Sequence, residues 1–355
     1  MGQQQVDIIY QDEQTMASAP SVYTAEPAYP ILAHSLLTKP EAKITDTRNP
    51  VHDAGQNDHW NLKDDWVTGI QINNSAIFRC GAVIGFSRLR SRSKDTDEYI
   101  GQIPRFLLTS HLLRIAHSSE PTAFIIYPSN FDALAPRLLL NALQSPSGEP
   151  GLSRAEALQL LDTVQLLPVQ TLPNAAQAIG KVSESLQEIQ EKRQAQHRDN
   201  PAEPTQPVIL IVVGLDTLAE GVIRASNPVR GTALLAATQQ NLTRMARAYA
   251  SWLSIILINT SGLGTVHFDS NQLPDLNQTK KPNDEDARPS GDDGIHSIFQ
   301  IPGTSLLSTL LMRTLDQGID THILLSDVKA TQIAEVIKDR IGTGLGKWGI
   351  WSPKR

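Results

Sequence analysis

The sequence predicts an α/β domain with a mostly parallel, twisted sheet flanked by helices, and three observations lead there. Val208 to Val213 is an unbroken aliphatic run without polar alternation, the pattern of a strand covered on both faces. From Thr232 the period changes: Leu235, Leu242 and Tyr249 lie seven apart, with Thr238, Met245 and Trp252 interleaved, forming one apolar stripe along a helix. Leu253 to Ile258 is a second apolar run, so strand, helix and strand follow in the order of a parallel crossover unit.

Composition bounds the rest. The chain has 355 residues, 40% of them hydrophobic, which is ample for a core, and a net charge of -6. That balance excludes a protein that adheres to nucleic acid or acidic membranes over its whole surface, so any such contact is local. Cys80 is the only cysteine, which excludes an internal disulfide and a cysteine-built zinc site and points to a reducing, nuclear or cytosolic compartment. The opening MGQQQVDIIYQDE lacks the basic and apolar regions of a signal peptide, and Val6 stands where a myristoylation signal needs Ser or Thr. No apolar run reaches the ~20 residues of a membrane helix, so a soluble protein without a membrane partner is expected.

In chain order, residues 1–65 are rich in Gln, Asp, Pro, Ser and Thr without a sustained period and read as a disordered tail, with ordered sequence starting near Trp66. Residues 77–86 read as a strand or hairpin, 104–115 as a helix, 122–127 as a strand and 136–143 as a helix. Ser153 followed by Glu156 is a capping box opening a helix over 153–164. A strand over 165–170 and a helix over 174–196 come next, and the Pro-broken stretch 200–207 links them to the central strand. Gly214 ends that strand and a loop is expected before the long helix. Asn259 is expected at the end of the second strand, at the sheet edge where open α/β folds bind ligands. Residues 260–302 read as a long loop, in which Asp269, Asp275, Asp284, Glu285, Asp286, Asp292 and Asp293 outnumber Lys280, Lys281 and Arg288 and would repel phosphate. Residues 305–327 read as helix then strand, and 333–351 as a closing hairpin turning at the glycines.

The central stretch resembles the core of RecA-type recombinases, especially the eukaryotic strand-exchange recombinases and their paralogues. The resemblance rests on the strand 208–213, the segment Ala225-Ser226-Asn227-Pro228-Val229-Arg230-Gly231, the long helix and the strand ending at Asn259. It implies a RecA-like sheet over 66–355 and a nucleotide-sensing role for Asn259. Asp216 is the nearest acid to the strand end and is a candidate magnesium ligand, although Val213 stands in the most direct register; an N-cap or loop hydrogen bond is the competing role for Asp216. A phosphate loop needs Gly-x-x-x-x-Gly-Lys followed by Ser or Thr, whose amides, ammonium and hydroxyl hold phosphates and magnesium. Residues 85–101 have no such spacing, and Pro128-Ser129-Asn130-Phe131-Asp132 has no glutamate where the family orients its attacking water. The resemblance therefore implies a subunit that is not an enzyme, with no cofactor expected, ATP and magnesium included. Its implied role is accessory to homologous recombination and DNA repair in the nucleus. Its implied partners are other RecA-like recombinase or paralogue subunits, with single-stranded DNA a further candidate. The alternatives are a structural RecA-like subunit of an Elongator-type tRNA-modification complex and an ATPase with an unorthodox site.

Four further patterns bear on chemistry. Arg88, Arg90, Arg92 and Lys94 alternate with Ser87, Ser91 and Ser93, a set suited to phosphate contact, nuclear import or control by serine phosphorylation, or else a solvated insertion balanced by Asp95, Asp97 and Glu98. Asp320 and His322 are two apart and would share a strand face, as a ligand pair does, although no third ligand is evident. The stretch Gly342 to Lys347 resembles a phosphate loop, but Ile341 and Trp348 occupy its first glycine and hydroxyl positions, so it reads as a turn. Trp252, Trp348 and Trp351 read as core or interface aromatics, because no basic residues interleave them as in a base-stacking platform.

Overall fold

The structure, a computed structural model, describes residues 62–72, 76–90, 96–115, 120–145, 151–199, 206–264, 295–299, 305–328 and 331–351. The expected tail up to residue 61, Arg92 and Lys94 of the basic stretch, and residues 265–294 of the acidic loop lie outside the described residues. The order of elements is α1 (Leu62–Thr68), β1 (Val83–Leu89), α2 (Thr96–Arg114), β2 (Ala123–Pro128), α3 (Pro136–Gln144), α4 (Arg154–Leu161), β3 (Val164–Val169) and α5 (Leu172–Asp199). There follow β4 (Val208–Val213), α6 (Leu215–Ala225), α7 (Pro228–Ala248), β5 (Leu253–Leu263), α8 (Leu310–Gln317), β6 (Thr321–Val328), β7 (Thr331–Asp339) and β8 (Trp348–Ile350).

The strands form one sheet in the order β3-β2-β4-β5-β1-β6-β7-β8. From β3 to β6 every neighbouring pair is parallel, and β7 and β8 close the sheet with antiparallel pairings. Successive side chains on a strand point to opposite faces, so a strand covered twice must be apolar throughout, as Val208 to Val213 is. Ile84, Phe86, Ile209, Ile211, Ile256 and Ile258 pack with Trp66, Ile100, Leu107 and Leu139 of α1, α2 and α3. Val83, Leu210, Val212, Ile255 and Leu257 pack on the other face with Leu186, Leu215, Leu235, Leu242 and Leu315 of α5, α6, α7 and α8.

Two expectations around the central unit are corrected. The segment after Gly214 is the helix α6 rather than a loop: Leu215 and Ala219 bury themselves against the sheet, with Leu218 and Val222 packing beside them. Gly214 makes the junction at φ 70°, a left-handed conformation that glycine adopts without a Cβ penalty. Asn227 then caps α7, accepting a hydrogen bond from Arg230 N at 2.8 Å, and Pro228 fits the first turn. The second correction concerns β5, which does not end at Asn259 but runs to Leu263. Its continuation is paired with β1, where Ser87 stands opposite Asn259 and Leu89 opposite Leu263.

Elsewhere α4 carries the expected capping box, with Ser153 Oγ accepting from Glu156 N and a Glu156 carboxylate oxygen accepting from Ser153 N. The helix expected over 104–115 starts earlier, at Thr96, and contains Pro104. The glycine stretch 342–346 turns between β7 and β8, where the Asp339 carboxylate accepts from Gly342 N at 3.0 Å and Gly344 N at 2.9 Å.

Candidate functional site

Strands β5, β1 and β6 lie side by side, and on the face covered by α8 they present Asn259, Ser87 and His322. Asn259 Nδ2 donates to Ser87 Oγ at 2.9 Å, and Ser87 Oγ is 2.8 Å from His322 Nε2. His322 Nδ1 is 2.9 Å from Asp316 Oδ1, in the last turn of α8. Lys338 of β7, opposite His322 in the antiparallel register, reaches across to donate to Asp316 Oδ2 and to the Asp316 carbonyl. Five residues thus form one continuous hydrogen-bonded line from β7 to β5.

The electrostatics of the line follow from its burial. Burial pushes the Asp316 carboxyl up, but the hydrogen bond and charge of His322 and of Lys338 outweigh it and hold the group below the usual carboxylate range. Burial likewise pushes Lys338 down, against the opposing pull of Asp316. Lys338 and Asp316 therefore balance each other as an ion pair. Serine, histidine and aspartate here have the contacts of a nucleophilic triad. Ser87 and His322 are each 0% exposed, so the line is closed to solvent at Ser87 Oγ and forms a buried relay. The same burial removes Ser87 from the phosphorylation reading of the basic stretch.

The relay opens onto a cavity of about 180 Å³ at the C-terminal end of β5, between α6 and α8. Arg90, Asp216, Glu220, Asn259 and Ser261 give it polar walls, and Leu263, Leu311, Met312 and Leu315 line its apolar side. Asp216 is 1% exposed and latches the end of β5: one carboxylate oxygen accepts from Ser261 N and the other from Thr260 Oγ1 at 3.3 Å. This is the hydrogen-bonding role set against the magnesium role in the sequence. Arg88 donates from Nε and Nη2 to the Thr260 carbonyl, each at 3.3 Å, and Arg90 Nε donates to the Ser261 carbonyl at 3.4 Å. Both arginines are half-buried and hold the end of β1 to the end of β5, rather than standing as a solvated run.

Asp320 and His322 do not share partners. Asp320 Oδ2 accepts from Val83 N at 2.9 Å and Oδ1 from Arg247 Nη2 at 2.7 Å, whereas His322 faces Ser87 and Asp316. Among the described residues no group of three or more His, Cys, Asp or Glu side chains gathers as a metal-ligand set. With both Asp216 oxygens engaged and no phosphate-loop spacing in residues 85–101, the residues present do not fit a magnesium-nucleotide. Ser87 lies 235 residues from His322, and Asp316 and Lys338 sit on two further elements, so no local pattern gathers them. Asn259 and His322 were visible singly, as a polar residue after an aliphatic run and as a histidine inside one.

No protein-family model matches the chain. No curated protein matches it either. Among the described residues no helix is long and apolar enough to cross a membrane.

Proposed function

We propose that this chain is a non-catalytic, RecA-like accessory subunit acting in homologous recombination and DNA repair. It assembles in the nucleus with other recombinase or paralogue subunits and assists a recombinase in loading on single-stranded DNA. The reading is supported by the largely parallel sheet, the strand-helix-strand unit over 208–263 and the antiparallel strands that close the sheet. The observation that carries it is the condition of the crevice. Asp216, the acid nearest the end of β4, is engaged through both oxygens by Thr260 and Ser261, and Arg88 and Arg90 are engaged by the carbonyls of the same two residues. A RecA-type core whose ligand edge is tied to itself keeps the architecture for packing on neighbours while giving up the chemistry. The outer strand β8 supports an assembly role, since Trp348 and Ile350 are 44% and 52% exposed on a strand that no other described strand pairs on its outer side.

Affinity purification of the full chain from its native cell tests the reading. Recovery of recombination proteins is expected, and recovery of tRNA-modification subunits instead favours the Elongator-type alternative. Calorimetry with magnesium-ATP addresses the ATPase alternative: micromolar binding that disappears in Asp216→Ala overturns the non-catalytic reading.

A further inference from the structure

The hydrogen-bonded line from Lys338 to Asn259 has a direction. The Lys338 ammonium has only protons to give, so the Asp316 carboxylate accepts from it and from His322 Nδ1–H. At the other end the Ser87 oxygen accepts from Asn259 Nδ2 at 2.9 Å and stands 2.8 Å from His322 Nε2. The amide nitrogen of Asn259 thereby faces the relay, and Oδ1 is left on the other side. Asn259 is 3% exposed and lines the cavity, and among the described residues its one side-chain hydrogen bond is the donation from Nδ2 to Ser87 Oγ. Ser261 lines the same cavity, and its Oγ is buried without a hydrogen-bond partner.

We infer that this cavity is a binding site for a small protonated amine on a short aliphatic body, with Asn259 Oδ1 and Ser261 Oγ accepting its N–H groups. The Ser261 hydroxyl, buried without a partner, gains a hydrogen bond from such a ligand, and Asn259 Oδ1 offers it a second acceptor. Leu263, Leu311 and Met312 cover the aliphatic part. The charged walls agree in sign, since Asp216 and Glu220 stand against Arg90, whose Nε is held by the Ser261 carbonyl. The fixed acceptor disfavours phosphate or carboxylate. The amine can come as a free small molecule or as the lysine side chain of a bound protein.

The test uses the full chain with asparagine labelled in nitrogen-15, the Asn259 side-chain resonance being assigned by its loss in Asn259→Asp. Wild-type protein is titrated with n-butylammonium, n-butyrate and tetramethylammonium. Saturable shifts of the Asn259 amide with n-butylammonium are expected, at an affinity roughly tenfold or more above that of the other two ions, since tetramethylammonium has the charge without donors and butyrate has the body with the wrong polarity. Ser87→Ala releases the amide from its fixed orientation and is expected to bring amine and carboxylate towards parity, whereas Asn259→Asp should tighten amine binding. A lysine-containing peptide that binds more tightly than n-butylammonium identifies a protein side chain as the natural occupant, and the reverse order identifies a free amine. Butyrate binding as tightly as butylammonium to the wild type, or no saturable shift with the amine, overturns the assignment without recourse to any variant.

Discussion

Arg79 and Asp339 form an ion pair at 3.0 Å with both side chains 1% exposed, joining the segment ahead of β1 to the end of β7. Arg79 also donates to the Thr321 hydroxyl at 3.1 Å and the Ala76 carbonyl at 2.8 Å, and Asp339 collects the amides of the glycine turn. The pair therefore anchors the antiparallel extension of the sheet to its parallel part. Arg79→Met leaves Asp339 buried without its counter-charge and is expected to destabilise the protein by about 3–5 kcal/mol. Adding Asp339→Leu should recover part of that loss, and urea unfolding of the single and double variants measures both.

Two carboxylates make the fold acid-sensitive. Burial pushes Asp339 up, but hydrogen bonds from Arg79, Gly344 and Gly342 and the Arg79 charge hold it below its ordinary value of 3.8, and Asp316 is held low by His322 and Lys338 against the effect of burial. A depressed folded value contributes stability that is present above the unfolded value and lost as pH falls through the folded one. Replacing Asp339 with Asn should therefore lower stability at neutral pH and shrink the loss seen below pH 3.8, as read by thermal unfolding across that range.

His111 acts at higher pH. Burial against the α2 side of the sheet pushes its pKa from 6.5 down to about 4. Between those values the unfolded chain binds a proton that the folded chain excludes. Its contribution is thus complete above pH 6.5 and is lost towards pH 4, amounting to about 3 kcal/mol. His111→Leu should flatten the stability profile over that window. An unchanged profile would show that other groups govern it.

The Asp216 latch predicts a local effect. Asp216→Ala leaves the Ser261 amide and the Thr260 hydroxyl without their acceptor and should cost about 1–3 kcal/mol. Hydrogen exchange at Ser261 should accelerate far more than exchange in β4.

Contact with single-stranded DNA is expected to have a shallow salt dependence. If Arg88, Arg90, Arg92 and Lys94 all neutralised phosphates, the log-log slope would be near ~-3. With Arg88 and Arg90 held by the Thr260 and Ser261 carbonyls, a slope of about -1.4 is expected from the remaining two. Fluorescence anisotropy over a range of salt concentrations distinguishes the two values, and the steeper one would mean that both arginines leave β5 on binding.

The β8 edge carries the assembly prediction. Ile350→Lys changes a residue that is 52% exposed and should shift stability by less than ~0.5 kcal/mol. Recovery of partner subunits in an affinity purification should nevertheless fall.

The amino-acid sequence by itself determined the parts of this protein that are encoded in local periodicity. The aliphatic runs at 208–213 and 253–258 are strands covered on both faces, the stripe from Leu235 to Trp252 lies on or directly after α7, and Ser153 with Glu156 caps α4, because each signal is a spacing that repeats within one contiguous stretch of chain. α6 was legible in the same way, in the spacing of Leu215, Ala219 and Val222, but Gly214 and the small residues 225–227 read more strongly as a loop. Tertiary structure alone decided the site. Ser87 and His322 are 235 residues apart and meet only because β6 is laid beside β1, and Asp316 joins them only because α8 packs over that face. The direction of the hydrogen bonds, and with it the polarity that Asn259 presents to the cavity, is a property of five side chains on five elements. No local pattern encodes such an arrangement, because each of its bonds depends on a strand order that is settled only when the whole sheet has formed.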